Sequence, residues 1–189
     1  MPPGRTNLVR NQVRIIGGEY RRRVLSFPDV PGLRPTPDRV RETVFNWLGQ
    51  KLDGLSCLDA FAGSGALGFE ARSRGAARVV MLERDRQASA ALQKNVQMLS
   101  MSGVEVISAD ALRYLAQAGE KTGELFDVIF LDPPFALNLM DEALNVAATR
   151  LRTGGRIYAE AAKPLAPQGF VVLRQGRAGQ SHFCLLERA

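Results

Sequence analysis

Cys57-Leu58-Asp59-Ala60-Phe61-Ala62-Gly63-Ser64-Gly65-Ala66-Leu67-Gly68 is the stretch on which the fold turns. Its apolar start reads as a first strand, and Gly63, Gly65 and Gly68 form a literal G-x-G-x-x-G. Glycines at this spacing let the backbone approach a ligand closely, and a helix over 66–74 would point its N-terminus at that ligand. Alone, the pattern is weak evidence for a nucleotide-type ligand. A second strand over 78–82 ends in Glu83, where an acid is placed to hold ribose hydroxyls. A third, over 104–108, ends near Asp110 and Ala111, a pair suited to an adenine amino group.

The rest of the chain continues the alternation. Strands are expected near 55–60, 78–83, 104–108, 126–131, 155–160, 169–174 and 181–187, with helices near 66–74, 86–100, 110–118 and 138–152. This predicts an α/β, Rossmann-like fold with a seven-stranded, mostly parallel sheet and helices on both faces. The last two strands, joined through Gly176 and Gly179, read as an antiparallel hairpin at one sheet edge. Ligands of such sheets bind beyond the carboxyl ends of the strands. Asp59, Glu83, Asp110 and Asp132 all fall at such ends, a regularity that helix capping alone does not explain.

The apolar run Phe126–Leu131 stops abruptly at Asp132-Pro133-Pro134-Phe135. Proline cannot continue a ladder, and the residue before each proline is held extended. A stiff turn then carries a carboxylate, a free carbonyl and an aromatic ring at fixed relative positions. The bland alternative is a rigid strand-ending loop with a capping aspartate. The functional reading is a clamp for a flat ring bearing an amino group. Asp132 and the Pro133 carbonyl accept the two amino hydrogens, and Phe135 stacks on the ring face. A carboxylate of ordinary pKa, about 4, suffices for that role.

A dinucleotide dehydrogenase would use the same glycines and the same acid. It carries a pyrophosphate at the loop, however, which Asp59 would repel, and it usually needs a second domain that 189 residues barely permit. S-Adenosylmethionine, with an ammonium and a sulfonium in place of phosphates, tolerates Asp59.

The net charge of +6 is unevenly spread. Residues 1–50 hold nine arginines against four acids, a surplus of five, and the other 139 residues a surplus of only one. Arginine matches phosphate bidentately and stacks on bases, so a polyanion partner is expected, most simply nucleic acid. Residues 1–12 are expected to be disordered. Segments 13–16 and 20–25 flank Gly17-Gly18 as a β-hairpin, with Arg21 and Arg23 on one strand face and Arg22 on the other. Thr36 is expected to cap a helix with Pro37 in its first position, and Val40, Val44, Trp47 and Leu48 form its apolar face. Cys57 and Cys184 lie in apolar strands and read as buried free thiols. The one histidine, His182, argues against a histidine-based metal site, so no metal is expected. No apolar stretch approaches membrane-spanning length and the N-terminus is polar, which predicts a cytoplasmic protein without membrane contact.

The loop around Asp59, Phe61, Gly63 and Gly65, then Glu83, Asp110-Ala111 and Asp132-Pro133-Pro134-Phe135, resembles class I S-adenosylmethionine-dependent methyltransferases acting on an exocyclic amine. Upstream, Arg14-Ile15-Ile16-Gly17-Gly18, Arg21-Arg22-Arg23 and the stretch from Leu33 and Arg34 through Arg39 to Leu48 are similar to the bacterial 16S rRNA guanine-N2 methyltransferases. The resemblance covers roughly 14–187. It implies that residues 1–50 form a basic RNA-binding extension using Arg21, Arg22, Arg23, Arg34 and Arg39. Residues 51–189 form the catalytic domain, which binds S-adenosylmethionine through Asp59, Phe61, Gly63, Gly65, Glu83, Asp110 and Ala111. The implied substrate is 16S rRNA in assembled or assembling 30S particles, and the protein is expected to act as a monomer. From the residues alone, adenine-N6, protein glutamine and a non-enzymatic RNA-binding role remain open.

Overall fold

The computed structural model describes residues 11–121 and 124–189. After a short antiparallel pair, β1 (Asn11–Arg14) and β2 (Val24–Phe27), comes helix α1 (Asp38–Trp47). Strand and helix then alternate: β3 (Ser56–Asp59), α2 (Ala66–Ser73), β4 (Arg78–Glu83), α3 (Arg86–Met98), β5 (Val104–Ser108), α4 (Ala111–Lys121), β6 (Phe126–Leu131), α5 (Met140–Ala148) and β7 (Leu151–Ala161). Strands β8 (Phe170–Ala178) and β9 (Ser181–Arg188) close the chain.

The large sheet has the order β5-β4-β3-β6-β7-β9-β8. The pairings among β3 to β7 are parallel, while β9 pairs antiparallel with both β7 and β8. The chain winds outward from β3 to β5, then returns to place β6 on the other flank of β3. That reversal opens a crevice at the carboxyl ends of β3 and β6, where sheets of this kind bind ligands. In parallel register, Asp59 lies beside Phe130 and Leu131 beside Ala159. One apolar cluster joins Val40, Val44, Phe69 and Leu92 to one sheet face, and a second joins Leu115, Ala143 and Leu144 to the other. The expected α/β sheet with helices on both faces is therefore present.

Three local expectations need correction. Gly17-Gly18 is not the hairpin turn. The pairing runs Asn11 to Phe27 through Arg14 to Val24, so Asn11 and Gln12 are strand, and residues 15–23 form a long connection. Residues 1–10 lie outside the described residues. The connection is drawn onto α2: the Glu19 amide donates to the Ser73 carbonyl (2.7 Å) and the Tyr20 amide to Ser73 Oγ (2.9 Å). Gly18 has φ +78°, and a Cβ there would lie 1.8 Å from the Ser73 oxygen. Arg21, Arg22 and Arg23 consequently sit on this loop, not on an alternating strand. Second, Thr36 does not cap α1. Pro37 occupies that position without a side-chain bond, and Thr36 is buried. Third, the helix expected over 138–152 stops at Ala148. The Arg150 side chain is buried, donating to the carbonyls of Leu115 (3.1 Å) and Glu124 (3.0 Å), and Leu151 already pairs with Phe126. Tertiary pairing overrides local helix propensity there.

An ion pair unnoticed in the sequence fixes the N-terminal extension. Arg41 and Glu70 are both fully buried. Glu70 accepts from the amides of Ile16 and Gly17 (2.8 Å each), from Arg74 Nε (2.8 Å) and from Arg41 Nη1 (3.3 Å). Arg41 also donates to the carbonyls of Arg14 (2.9 Å) and Thr36 (3.2 Å). Removing one partner of such a network strands the other charge in the interior. Glu70→Ala should therefore cost about 3–5 kcal/mol in urea unfolding. A loss below about 1 kcal/mol, within the range of an exposed pair, would contradict this role.

Candidate active site

Beyond the carboxyl ends of the parallel strands lies a cleft of about 710 Å³, roofed by residues 30–37. Asp59 ends β3 and is buried. Its Oδ2 accepts from the Gly68 amide at 2.9 Å, tying the strand end to the first turn of α2. The three glycines serve different ends. A Cβ on Gly68 would lie 2.6 Å from the Met81 side chain, so Gly68 permits close helix–strand packing. Gly65 has φ +78°, and a Cβ there would strike Phe69 and Leu92. Gly63 has φ +51° and lines the cleft, and a notional Cβ there would only touch Leu33, at 3.7 Å.

Glu83 ends β4. Its Oε2 accepts from the Gly63 amide and its Oε1 from the Asp85 amide, each at 2.8 Å. These bonds fix the carboxylate against the glycine loop, with lone pairs left for a ligand. Asp85, in turn, caps α3 through the amides of Gln87 and Ala88. Asp110 accepts from the Arg113 amide at 3.0 Å at the start of α4, and Ala111 beside it is buried. Phe61 also lines the cleft.

Asp132 follows β6 on the same cleft, with Pro133, Pro134 and Phe135. The Pro134 carbonyl accepts from the Leu137 amide (3.1 Å), winding Phe135–Leu137 into a single 3-10 turn. Phe135 and Leu137 are 42% and 44% exposed, an unusual apolar edge beside a polar crevice. All candidate cofactor and clamp residues except Gly65, which packs towards Phe69 and Leu92, thus meet in one cleft. A further acid, unremarked in the sequence, completes the row: Glu160 near the end of β7 is buried, lines the cleft, and accepts from Tyr158 Oη at 2.8 Å. Its signal was present as an acid at the end of the next strand.

Electrostatics correct one expectation. The Asp132 carboxyl is held well above the ordinary carboxylate range, first by burial and then by the charges of Glu160 and Asp59. The Thr36 hydroxyl opposes this by favouring the ionised form, which gives Thr36 a site role in place of capping. The acids crowd one another, so an ordinary pKa is not available to Asp132.

The arginines divide. Arg34 lines the cleft and is exposed. Arg21, Arg22, Arg23 and Arg39 are exposed but do not line it. Arg41 is spent on Glu70.

Asp59 yields a pH prediction. Burial pushes its carboxyl up to about 7, reinforced by Glu83 and opposed by the Gly68 and Phe61 amides. The folded state holds this proton more tightly than the unfolded chain. The contribution is therefore complete below about pH 4 and is lost as pH rises through 7. Asp59→Asn keeps an oxygen for the Gly68 amide without the charge. It should melt above wild type at pH 8, by on the order of 1–4 kcal/mol, and close to it at pH 4. A variant less stable than wild type at pH 8 would refute the assignment.

Comparison with known proteins agrees with this geometry. A family model described as Conserved hypothetical protein 95 matches residues 13–187. Ribosomal RNA small subunit methyltransferase D of Escherichia coli strain K12 is 43% identical over 183 residues, covering 94% of this chain and 90% of that protein. Its namesake in Haemophilus influenzae is 42% identical over 177 residues, covering 90% and 91%. The solved structure of the Escherichia coli protein yhhF superposes with a TM-score of 0.82 at 42% identity, covering 94% of this chain and 98% of that one. The chain belongs to the Conserved hypothetical protein 95 family, among relatives named ribosomal RNA small subunit methyltransferase D, and is a methyltransferase.

Proposed function

We propose that this chain methylates the exocyclic N2 of one guanine in 16S rRNA, with S-adenosylmethionine as methyl donor. The observation that carries the reading is the row of carboxylates along one cleft, in which Asp132 is followed by a proline-stiffened turn and an exposed Phe135. The small-subunit rRNA substrate is supported by the names of relatives that this chain covers at 90% of their length. Residues 1–50 form the RNA-binding extension and 51–189 the catalytic unit, with Arg21, Arg22, Arg23, Arg34 and Arg39 toward phosphate.

The cleft fits the donor. Gly63 lines the cleft, and Glu83 is anchored there with lone pairs for ribose hydroxyls. Asp110 and Ala111 stand at the next strand end for the adenine, and a volume of about 710 Å³ suits a cofactor of this size. Asp59 lies behind the loop and supplies negative charge where the donor is cationic. When bound, S-adenosylmethionine supplies a methyl carbon activated by its positive sulfur.

The protein's own contribution is positional. Phe135 stacks on the extruded base and fixes its plane. Asp132 and the Pro133 carbonyl accept the two amine hydrogens, which favours a tetrahedral nitrogen and supports the charge that develops on it. Asp132 then takes the proton that nitrogen sheds. Alignment of this kind is worth about 7–11 kcal/mol in ideal cases.

Asp132 must be ionised to accept. Since its pKa is raised, kcat/KM should fall as pH falls through a value above the ordinary carboxylate range. An acid limb near the unperturbed value of about 4 would contradict the crowded-carboxylate account. Asp132→Ala should abolish methyl transfer while calorimetric affinity for S-adenosylmethionine stays near normal. Phe135→Ala should lose about 1–3 kcal/mol in kcat/KM. Substantial turnover by Asp132→Ala would remove the clamp from the mechanism. With labelled donor and unmodified small subunits, product digestion should yield N2-methylguanosine. Label in N6-methyladenosine, in DNA or on glutamine would overturn the base assignment.

A further inference from the structure

Glu160 is a buried carboxylate that the clamp does not use. It belongs to β7, one strand beyond β6, and Leu131 pairs with Ala159 in parallel register. The next residues, Asp132 and Glu160, therefore stand abreast at the cleft. Asp132 and Glu160 both line that cleft, and the charge of Glu160 acts directly on the Asp132 carboxyl. Tyr158 Oη holds Oε2 of Glu160 at 2.8 Å. Tyr158 is itself packed between Phe130 and Phe183, with ring centroids 6.3 and 6.4 Å away, so the carboxylate is locked in orientation. Oε1 accepts no hydrogen bond from the described residues and is not sealed from solvent, so it is open to the cleft. A carboxylate only 6% exposed, with one oxygen anchored and the other open to the cleft, is placed to accept from a ligand donor.

The Watson–Crick edge of guanine offers such a donor. Its N1–H lies immediately beside the 2-amino group. With that amine on Asp132 and the Pro133 carbonyl, the neighbouring N1–H falls to the neighbouring acid. Adenine presents a lone pair at N1, which a carboxylate repels. We infer that Glu160 is the specificity-determining residue of this site, accepting the N1–H of the target guanine through Oε1 and rejecting bases that lack it. The inference rests on the guanine-N2 reading above and assigns the base selection to one residue. The groups that face Glu160 are Asp132 after β6, Tyr158 on its own strand and Phe183 from β9. Asp59 on β3 and Thr36 from the roof face Asp132. None of these is a cation; Arg34 lines the same cleft but forms no ion pair with Glu160, which leaves Oε1 free for a ligand donor.

The test uses 2-aminopurine riboside, which keeps the 2-amino group but has an unprotonated N1. Semi-synthetic 16S rRNA carrying guanosine or 2-aminopurine riboside at the methylated nucleotide is assembled into small subunits. Methyl transfer is then measured with wild type, Glu160→Gln and Glu160→Ala. Glutamine keeps an oxygen for Tyr158 and adds an amide that donates to an unprotonated N1. Wild type should prefer guanosine on the order of 10- to 100-fold in kcat/KM, the worth of a charge-assisted hydrogen bond. In Glu160→Gln this preference should collapse towards parity through a gain on 2-aminopurine. Glu160→Ala should lose rate on guanosine without that gain. 2-Aminopurine also lacks O6, but that difference and the intrinsic reactivity of each base are the same for every variant and cancel in the comparison of variants. Thermal melting of Glu160→Gln and donor affinity of both variants should match wild type. An unchanged preference in Glu160→Gln, or a wild type indifferent to N1, would overturn the role of Glu160 while leaving guanine methylation standing. No transfer to guanosine by wild type would overturn both readings.

Discussion

The contact between the Asp59 carboxylate and the Gly68 amide is the constraint around which the site is built. It requires a helix packed so closely on the sheet that position 68 tolerates no Cβ against Met81. It also requires an acid to give up its water at the end of the central strand. The energetic cost is visible in the raised Asp59 carboxyl. The return is a glycine loop held rigidly at the sheet's switch point, with Gly63 lining the cleft and its amide on Glu83. Every later feature of the cleft is measured from that loop. The parallel pairing of β3 with β6, and of β6 with β7, carries the same register outward to Asp132 and Glu160.

A second constraint joins the extension to this frame. Glu70 lies on the same helix that Gly68 opens, two residues on, and gathers the Ile16 and Gly17 amides together with Arg41. Arg41 in turn holds the Thr36 carbonyl, and Thr36 presents its hydroxyl to Asp132. A chain of contacts thus runs from the arginine-bearing loop, through the ion pair, to the Asp132 carboxyl. Apolar residues of the extension, Ile15, Leu25, Val44 and Phe45, belong to the same cluster as Cys57, Phe69 and Met81. The extension is packed as a wall of the cleft, which brings Arg34 to its rim.

Much of this was legible in the sequence because strand–helix alternation and acid-terminated strands are local signals. The mostly parallel sheet with its closing antiparallel hairpin, the glycine loop, and the convergence of Asp59, Glu83, Asp110 and Asp132 all follow from such patterns. What was hidden depended on contacts across the chain. Gly17-Gly18 reads as a hairpin turn until Ser73 and Glu70 claim its neighbours. Thr36-Pro37 reads as a cap until Thr36 is drawn to Asp132. Arg41 looks like one more surface cation until burial pairs it with Glu70. Asp132 looks like an ordinary acid until its neighbours are counted. No periodicity encodes these distances.

The crowding of acids gives the cleft its chemistry. Alone, each carboxylate would be solvated and unselective. Together, in a confined space, they favour ligands that bring hydrogens and positive charge, which in the proposed reaction are a cationic methyl donor and the amine edge of a base. The central claim is that this cleft modifies one guanine of 16S rRNA through Asp132, and mass mapping of rRNA modifications in cells tests it most directly. Cells lacking the protein should miss a single N2-methylguanosine in 16S rRNA, restored by the wild-type chain and not by a stably expressed Asp132→Ala chain. An unchanged modification map on removal of the protein, or full restoration by Asp132→Ala, would contradict the account.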